Sequence, residues 1–145
     1  MRTRRIVAFI CAVVMLTTMM VPAMAAEPEE KVIDLGDGFY VVETITYGPV
    51  SRSGNTVNGK KSGTVYQGST VIGQATLHGE FDISGSTAKA TDAEIEGVGY
   101  NGWEYAGGTT KLSGNTATGT ATFRMGSSTK NLVLTLSCSP NGTLS

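Results

Sequence analysis

Apolar and polar residues alternate along much of this chain with the two-residue period of a β-strand. From Thr70 to Ser84, the small or apolar residues Val71, Gly73, Ala75, Leu77, Gly79, Phe81 and Ile83 alternate with Ile72, Gln74, Thr76, His78, Glu80, Asp82 and Ser84. That pattern predicts a strand with one face on a core and one in water. Ala117, Gly119, Ala121, Phe123 and Met125 alternate in the same way with Thr116, Thr118, Thr120, Thr122 and Arg124. In the stretch from Asn131 to Cys138, Leu132, Leu134, Leu136 and Cys138 share the inward parity. Phe39 to Tyr47 is partly apolar on both faces, and Ala88 to Val98 carries Asp92, Glu94 and Glu96. Short strands are also predicted at Thr64 to Gln67 and Thr109 to Leu112.

Turn chemistry separates these segments. Asp34 to Gly38 reads as a turn, with Asp37-Gly38 supplying positive φ. Gly48-Pro49 ends the strand before it, and the polar Val50 to Gly63 reads as a long connection. The element S-G-[NS]-T-[AV] occurs at Ser53, Ser84 and Ser113. We read it as one turn type used three times rather than as a duplicated module. The prediction is an all-β domain over residues 32–145 with about seven strands. It is an antiparallel β-sandwich, with an open β-barrel as the alternative.

The N-terminus has a different character. Arg2, Arg4 and Arg5 precede an almost wholly apolar run from Ile6 to Val21, and Pro22 is followed by the small-x-small site Ala23-Met24-Ala25. This order predicts a secretory signal peptide over residues 1–25, cleaved after Ala25, and a secreted chain with no membrane anchor left. The acidic residues 26–31 read as a disordered lead-in. Export removes three arginines and no acid, leaving eight basic residues against twelve acidic ones. That balance argues against nucleic acid as a partner. Cys138 is the one cysteine after cleavage, so a core rather than a disulfide must hold the domain. Its parity with the inward leucines marks it as buried, with intermolecular pairing as the alternative.

No catalytic or metal residue is assigned, and no cofactor is expected. His78, Glu80 and Asp82 share one strand face, but same-face neighbours lie about 6.8 Å apart, too far to close around one ion unaided. His78 is the single histidine, and no G-x-S-x-G element is present. The most suggestive cluster is Tyr100, Trp103 and Tyr105 in a glycine-rich stretch. Aromatics on such a loop can stack on sugars or anchor a protein. The competing assignment folds Trp103 into one end of the core.

The opening Val32-Ile-Asp-Leu-Gly-Asp-Gly-Phe-Tyr-Val-Val42, the central Leu77-His-Gly-Glu-Phe-Asp-Ile-Ser-Gly85 and the ending Leu134-Thr-Leu-Ser-Cys-Ser-Pro-Asn-Gly-Thr-Leu144 resemble a loose set of small exported Gram-positive bacterial β-proteins of unassigned function. The resemblance implies an exported β-domain and nothing about catalysis. The expected function is a non-catalytic extracellular domain that binds a glycan, an envelope component or a protein. A secreted antimicrobial or toxin-like effector and a small secreted hydrolase are the alternatives.

Overall fold

The computed structural model describes residues 30–46 and 54–145. The expected signal peptide and residues 26–29 lie outside the described residues. Eight strands follow one another: β1 (Glu30–Gly36), β2 (Phe39–Thr46), β3 (Thr56–Gln67), β4 (Thr70–Asp82), β5 (Lys89–Gly99), β6 (Glu104–Ser113), β7 (Thr116–Met125) and β8 (Ser128–Ser137). Every hydrogen-bonded pair is antiparallel and sequential. Strands β1 to β5 form one sheet in order, and β6 to β8 form a second. The chain is therefore a meander folded once upon itself, a β-sandwich of five and three strands. The open-barrel alternative does not hold, because β5 and β6 belong to separate sheets.

The fold happens at one corner. Asn101 (φ 53°) and Gly102 (φ 85°) reverse the backbone. The Tyr100 amide donates to the Ile72 carbonyl at 2.9 Å, and the Trp103 amide to that of Tyr100 at 3.0 Å. Gly99 lies directly beneath the Trp103 carbonyl, where a Cβ has no room. Trp103 is 5% exposed, and its ring meets that of Phe39 edge-on at 6.1 Å. The indole thus closes this end of the core.

Three elements differ from the expectation. Strand β1 begins at Glu30, so Glu30 and Lys31 of the expected lead-in are paired residues. That strand raises the number from about seven to eight, and β3 extends the expected Thr64 to Gln67 back through much of the expected polar connection to Thr56. Strand β6 begins at Glu104, well before the expected Thr109. The reason is clearest in β3. Its inward positions are Val57, Gly59, Lys61, Gly63 and Val65, so two glycines and a lysine stand where alternation would show apolar residues.

Those glycines are occupied from the other sheet. A Cβ on Gly63 would lie 3.0 Å from the methyls of Leu132 and Leu134, and one on Gly119 2.8 Å from Leu77 and Ile95. Leu136 and Leu144 pack over Gly59, and Phe123 over Gly73. Phe81, Phe123, Ile72, Leu77, Leu132, Leu134 and Leu136 are the largest fully buried side chains among the described residues. The core is thus built by bulk on one sheet entering gaps on the other, at the close density of protein interiors.

Gly73→Ala tests this packing, since its Cβ would stand 2.5 Å from the Phe123 ring. Overpacking of this kind costs about 1–3 kcal/mol, read as a lower urea midpoint at unchanged slope. Phe123→Leu in the same background should recover part of the loss, giving a non-additive double-mutant cycle.

Candidate functional site

The two sheets leave two outer faces, and the wider one carries the candidate site. On β2 the even-numbered residues point outward: Tyr40, Val42 and Thr44 are half-buried, while Phe39, Val41 and Glu43 are buried. Register then assembles rows across the strands. Asp34 of β1 stands opposite Tyr40, Tyr40 opposite Tyr66, and Tyr66 opposite Val71. The Tyr40 and Tyr66 rings stack at 4.9 Å with planes 5° apart. Tyr100 follows β5 with the outward parity of Glu94, Glu96 and Val98, and its amide bond to Ile72 seats it beside β4. It is 41% exposed. Tyr40 and Tyr66 therefore share one row of the five-stranded sheet with Asp34 and Val71, each strand adding about 4.8 Å, and Tyr100 stands exposed where β5 ends.

Polar groups flank this row. The next row is Val32, Val42, Thr64, Gln74 and Val98, and the one after is Glu30, Thr44, Ser62, Thr76 and Glu96. Gln74, Thr76, Glu96 and Val98 frame an open depression of about 300 Å³ floored by Ala75 and Gly97. Gly97 faces inward, and its missing Cβ makes room for the ring of Tyr105, which lies within 2.8 Å of where that Cβ would stand. The Ser62 and Thr76 hydroxyls share a hydrogen bond at 3.0 Å. His78 Nε2 lies 3.0 Å from Glu96 Oε1, which ties β4 to β5 at the lower rim. Gln74 and Val98 are exposed around it.

The three aromatics singled out in the sequence are divided by this arrangement. Tyr100 joins Tyr40 and Tyr66 outside. Trp103 is in the core. Tyr105 is half-buried, packs on Phe123 with centroids 5.9 Å apart, and donates its hydroxyl to the Ile95 carbonyl at 3.2 Å. Pattern reading passed over Tyr40 and Tyr66. Both lie at outward positions, but only the register places them side by side.

The acidic residues are distributed over the same face. Glu80 accepts a hydrogen bond from the Thr91 hydroxyl at 3.2 Å, and His78 pairs with Glu96 rather than with Glu80 or Asp82. Asp82 ends β4 and accepts the Ser84 amide at 2.8 Å. Hydrogen bonds from the Ser84 backbone and side chain, helped by the Lys89 charge, hold its carboxyl below the usual range. That direction suits a turn cap and is the reverse of what a general acid needs. Among the described residues, no three His, Cys, Asp or Glu side chains are gathered about one point.

The inner face holds a second polar feature. Glu43 is buried, with Lys61 Nζ 3.4 Å from its Oε2. The same Nζ donates to the Thr135 carbonyl of β8 at 2.9 Å. Lys31, Glu43, Ile45 and Lys61 line a small cavity of about 90 Å³. Cys138 is also interior, and its thiol donates to the Ser139 carbonyl. No family model, curated protein or solved structure matches the chain.

Burial pushes both the Tyr105 hydroxyl and the Cys138 thiol above their ordinary ranges, Glu96 adding to the effect on Tyr105. For an acid raised on folding, the unfolded state loses its proton first, so stability is fully present below the unfolded value and falls as pH rises past it. The melting temperature should therefore drop in the alkaline range, above about pH 8.5 for the thiol and pH 10 for the phenol. Tyr105→Phe should flatten the upper part of that fall. Cys138 should react with a thiol reagent only in denaturant.

Proposed function

We propose that this chain is an exported, non-catalytic domain that binds an extended glycan across the outer face of its five-stranded sheet. The observation that supports this reading is the stacked pair Tyr40 and Tyr66, with Tyr100 exposed at the β5 end of the same sheet, beside hydroxyl, amide and carboxylate groups. Sugar rings present apolar C–H faces and polar rims. A tyrosine offers an apolar ring for the first and a hydroxyl for the second. Thr64, Gln74, Thr76 and Glu96 supply donors and acceptors next to the rings, and the depression they frame can receive a ring substituent. An open sheet face suits a long polymer, which needs a track rather than an enclosed pocket.

The test is titration of the expected mature chain, residues 26–145, with a panel of soluble envelope polysaccharides by calorimetry. Tyr66→Ala should weaken binding about tenfold or more, equivalent to about 1.4 kcal/mol, with melting unchanged to within a few degrees. Thr129→Ala, on the outer face of the other sheet, should leave affinity unaltered. Binding that survives both Tyr40→Ala and Tyr66→Ala would remove the tyrosine row as the contact surface.

A further inference from the structure

Charge is sorted between the two outer faces of this domain. On the three-stranded sheet, Lys111 and Arg124 stand outward, with Glu104 opposite Arg124. On the five-stranded sheet the outward charges are mostly acidic. Glu80 lies on β4, Asp92, Glu94 and Glu96 on β5, and Glu30 and Asp34 on β1. All six are exposed. Lys60 and His78 share a row with Glu94, and Asp82 faces Lys89 at the far end. Among the described residues, the one ion pair on this face joins His78 to Glu96.

The fold gains nothing from these carboxylates. Glu80 stands directly opposite Asp92, and like charges so placed weaken a ladder. Nor do the acids converge. No three His, Cys, Asp or Glu side chains among the described residues are gathered about one point. Glu94 and Glu96 are same-face neighbours, about 6.8 Å apart along the strand. One metal ion cannot use carboxylates spread in this way, but a polymer with positive charges at intervals can. A surface of one sign also concentrates ligands of the other.

Glu96 ties this charge to the glycan surface. It is the one charged residue lining the depression. Its Oε1 meets His78, and its Oε2 has no partner among the described residues. Ser62 lies four residues from Tyr66 on β3, and Ser62, Thr76 and Glu96 form one row. Glu96 is thus roughly 17 Å from Tyr66 by strand geometry. A ligand that meets both is an oligomer. Tyrosine rings attract cations as well as sugar faces.

We propose that the glycan carried on this face is a polymer of amino sugars with free, protonated amines in place of N-acetyl groups. Glu96 and Glu94 receive the ammonium groups, and Tyr40 and Tyr66 take ring faces further along. Polyanionic polymers are repelled by the same carboxylates. This inference deepens the glycan reading and rests on it.

Calorimetry on the expected mature chain, residues 26–145, tests it with two probes of equal length. One is a glucosamine oligomer, at a pH where its amines are protonated, and the other is its fully N-acetylated form. The amine form should bind about tenfold or more tighter, and the advantage should shrink as sodium chloride is raised. Glu94→Gln with Glu96→Gln should remove the preference and leave binding of the acetylated form unchanged. Glu104→Gln, on the other sheet, should alter neither. Circular dichroism should show every variant folded. Equal binding of the two forms overturns this inference and leaves the glycan reading standing. Binding of neither form, nor of any polysaccharide in the panel, removes both. An amine preference that survives the double substitution overturns the inference. So does oligolysine binding as tightly as the amine form, because the face would then respond to charge alone.

Discussion

The packing of large side chains into glycine gaps is the constraint on which the rest of this structure rests. A five-stranded and a three-stranded sheet can approach closely only where one offers no Cβ. Gly59, Gly63 and Gly73 on the wide sheet receive Leu144, Leu132, Leu134 and Phe123, while Gly119 on the narrow sheet receives Leu77 and Ile95. The interlock sets which strand lies over which. It also leaves the outer faces free of any structural demand except strand pairing. Outward residues can then be tyrosine, threonine, glutamine or glutamate without cost to the core.

The narrow sheet does not cover the wide one completely, and the chain manages the remainder with charge. Lys61 points inward, holds Glu43 and reaches the Thr135 carbonyl. A charged pair at a partly covered position is a poor source of stability. It is an effective way to keep an open strand edge from accepting a foreign strand. The corner between β5 and β6 achieves the same end with a phenol and a backbone bond. Management of edges therefore shapes the molecule as much as burial does, and the edge strand β1 carries a bulge at Leu35 together with Glu30, Lys31 and Asp34.

The candidate site lies where these two conditions meet. The register that pairs Tyr40 with Tyr66 is imposed by the inner face: slipping β2 against β3 by one residue would turn Val41 and Val65 outward. The tyrosine stack is thus a consequence of where the valines must go. Gly97 joins the two layers directly, since it floors the surface depression on one side and receives the Tyr105 ring on the other. A surface feature of this kind depends on side chains from both sheets.

Much of the fold was legible from local pattern, because inward and outward positions of β4, β5, β7 and β8 differ in polarity. The strand class, most turns and the interior place of Cys138 follow from a period of two and from turn residues. The part of β3 before Thr64 was hidden because its inward face is largely glycine and lysine, residues whose burial makes sense only once Leu132, Leu134 and Glu43 are opposite them. Strand β1 was hidden because, at an edge, neither face is buried enough to select apolar residues. The aromatic stretch from Tyr100 to Tyr105 could not be divided into core and surface by sequence, since that depends on the reversal at Asn101-Gly102. The chain by itself determined an all-β domain with small and large residues in alternation. Only the tertiary structure decided which large residue fills which glycine gap, and hence which tyrosines stand side by side, because that choice is made between sheets and not along a strand.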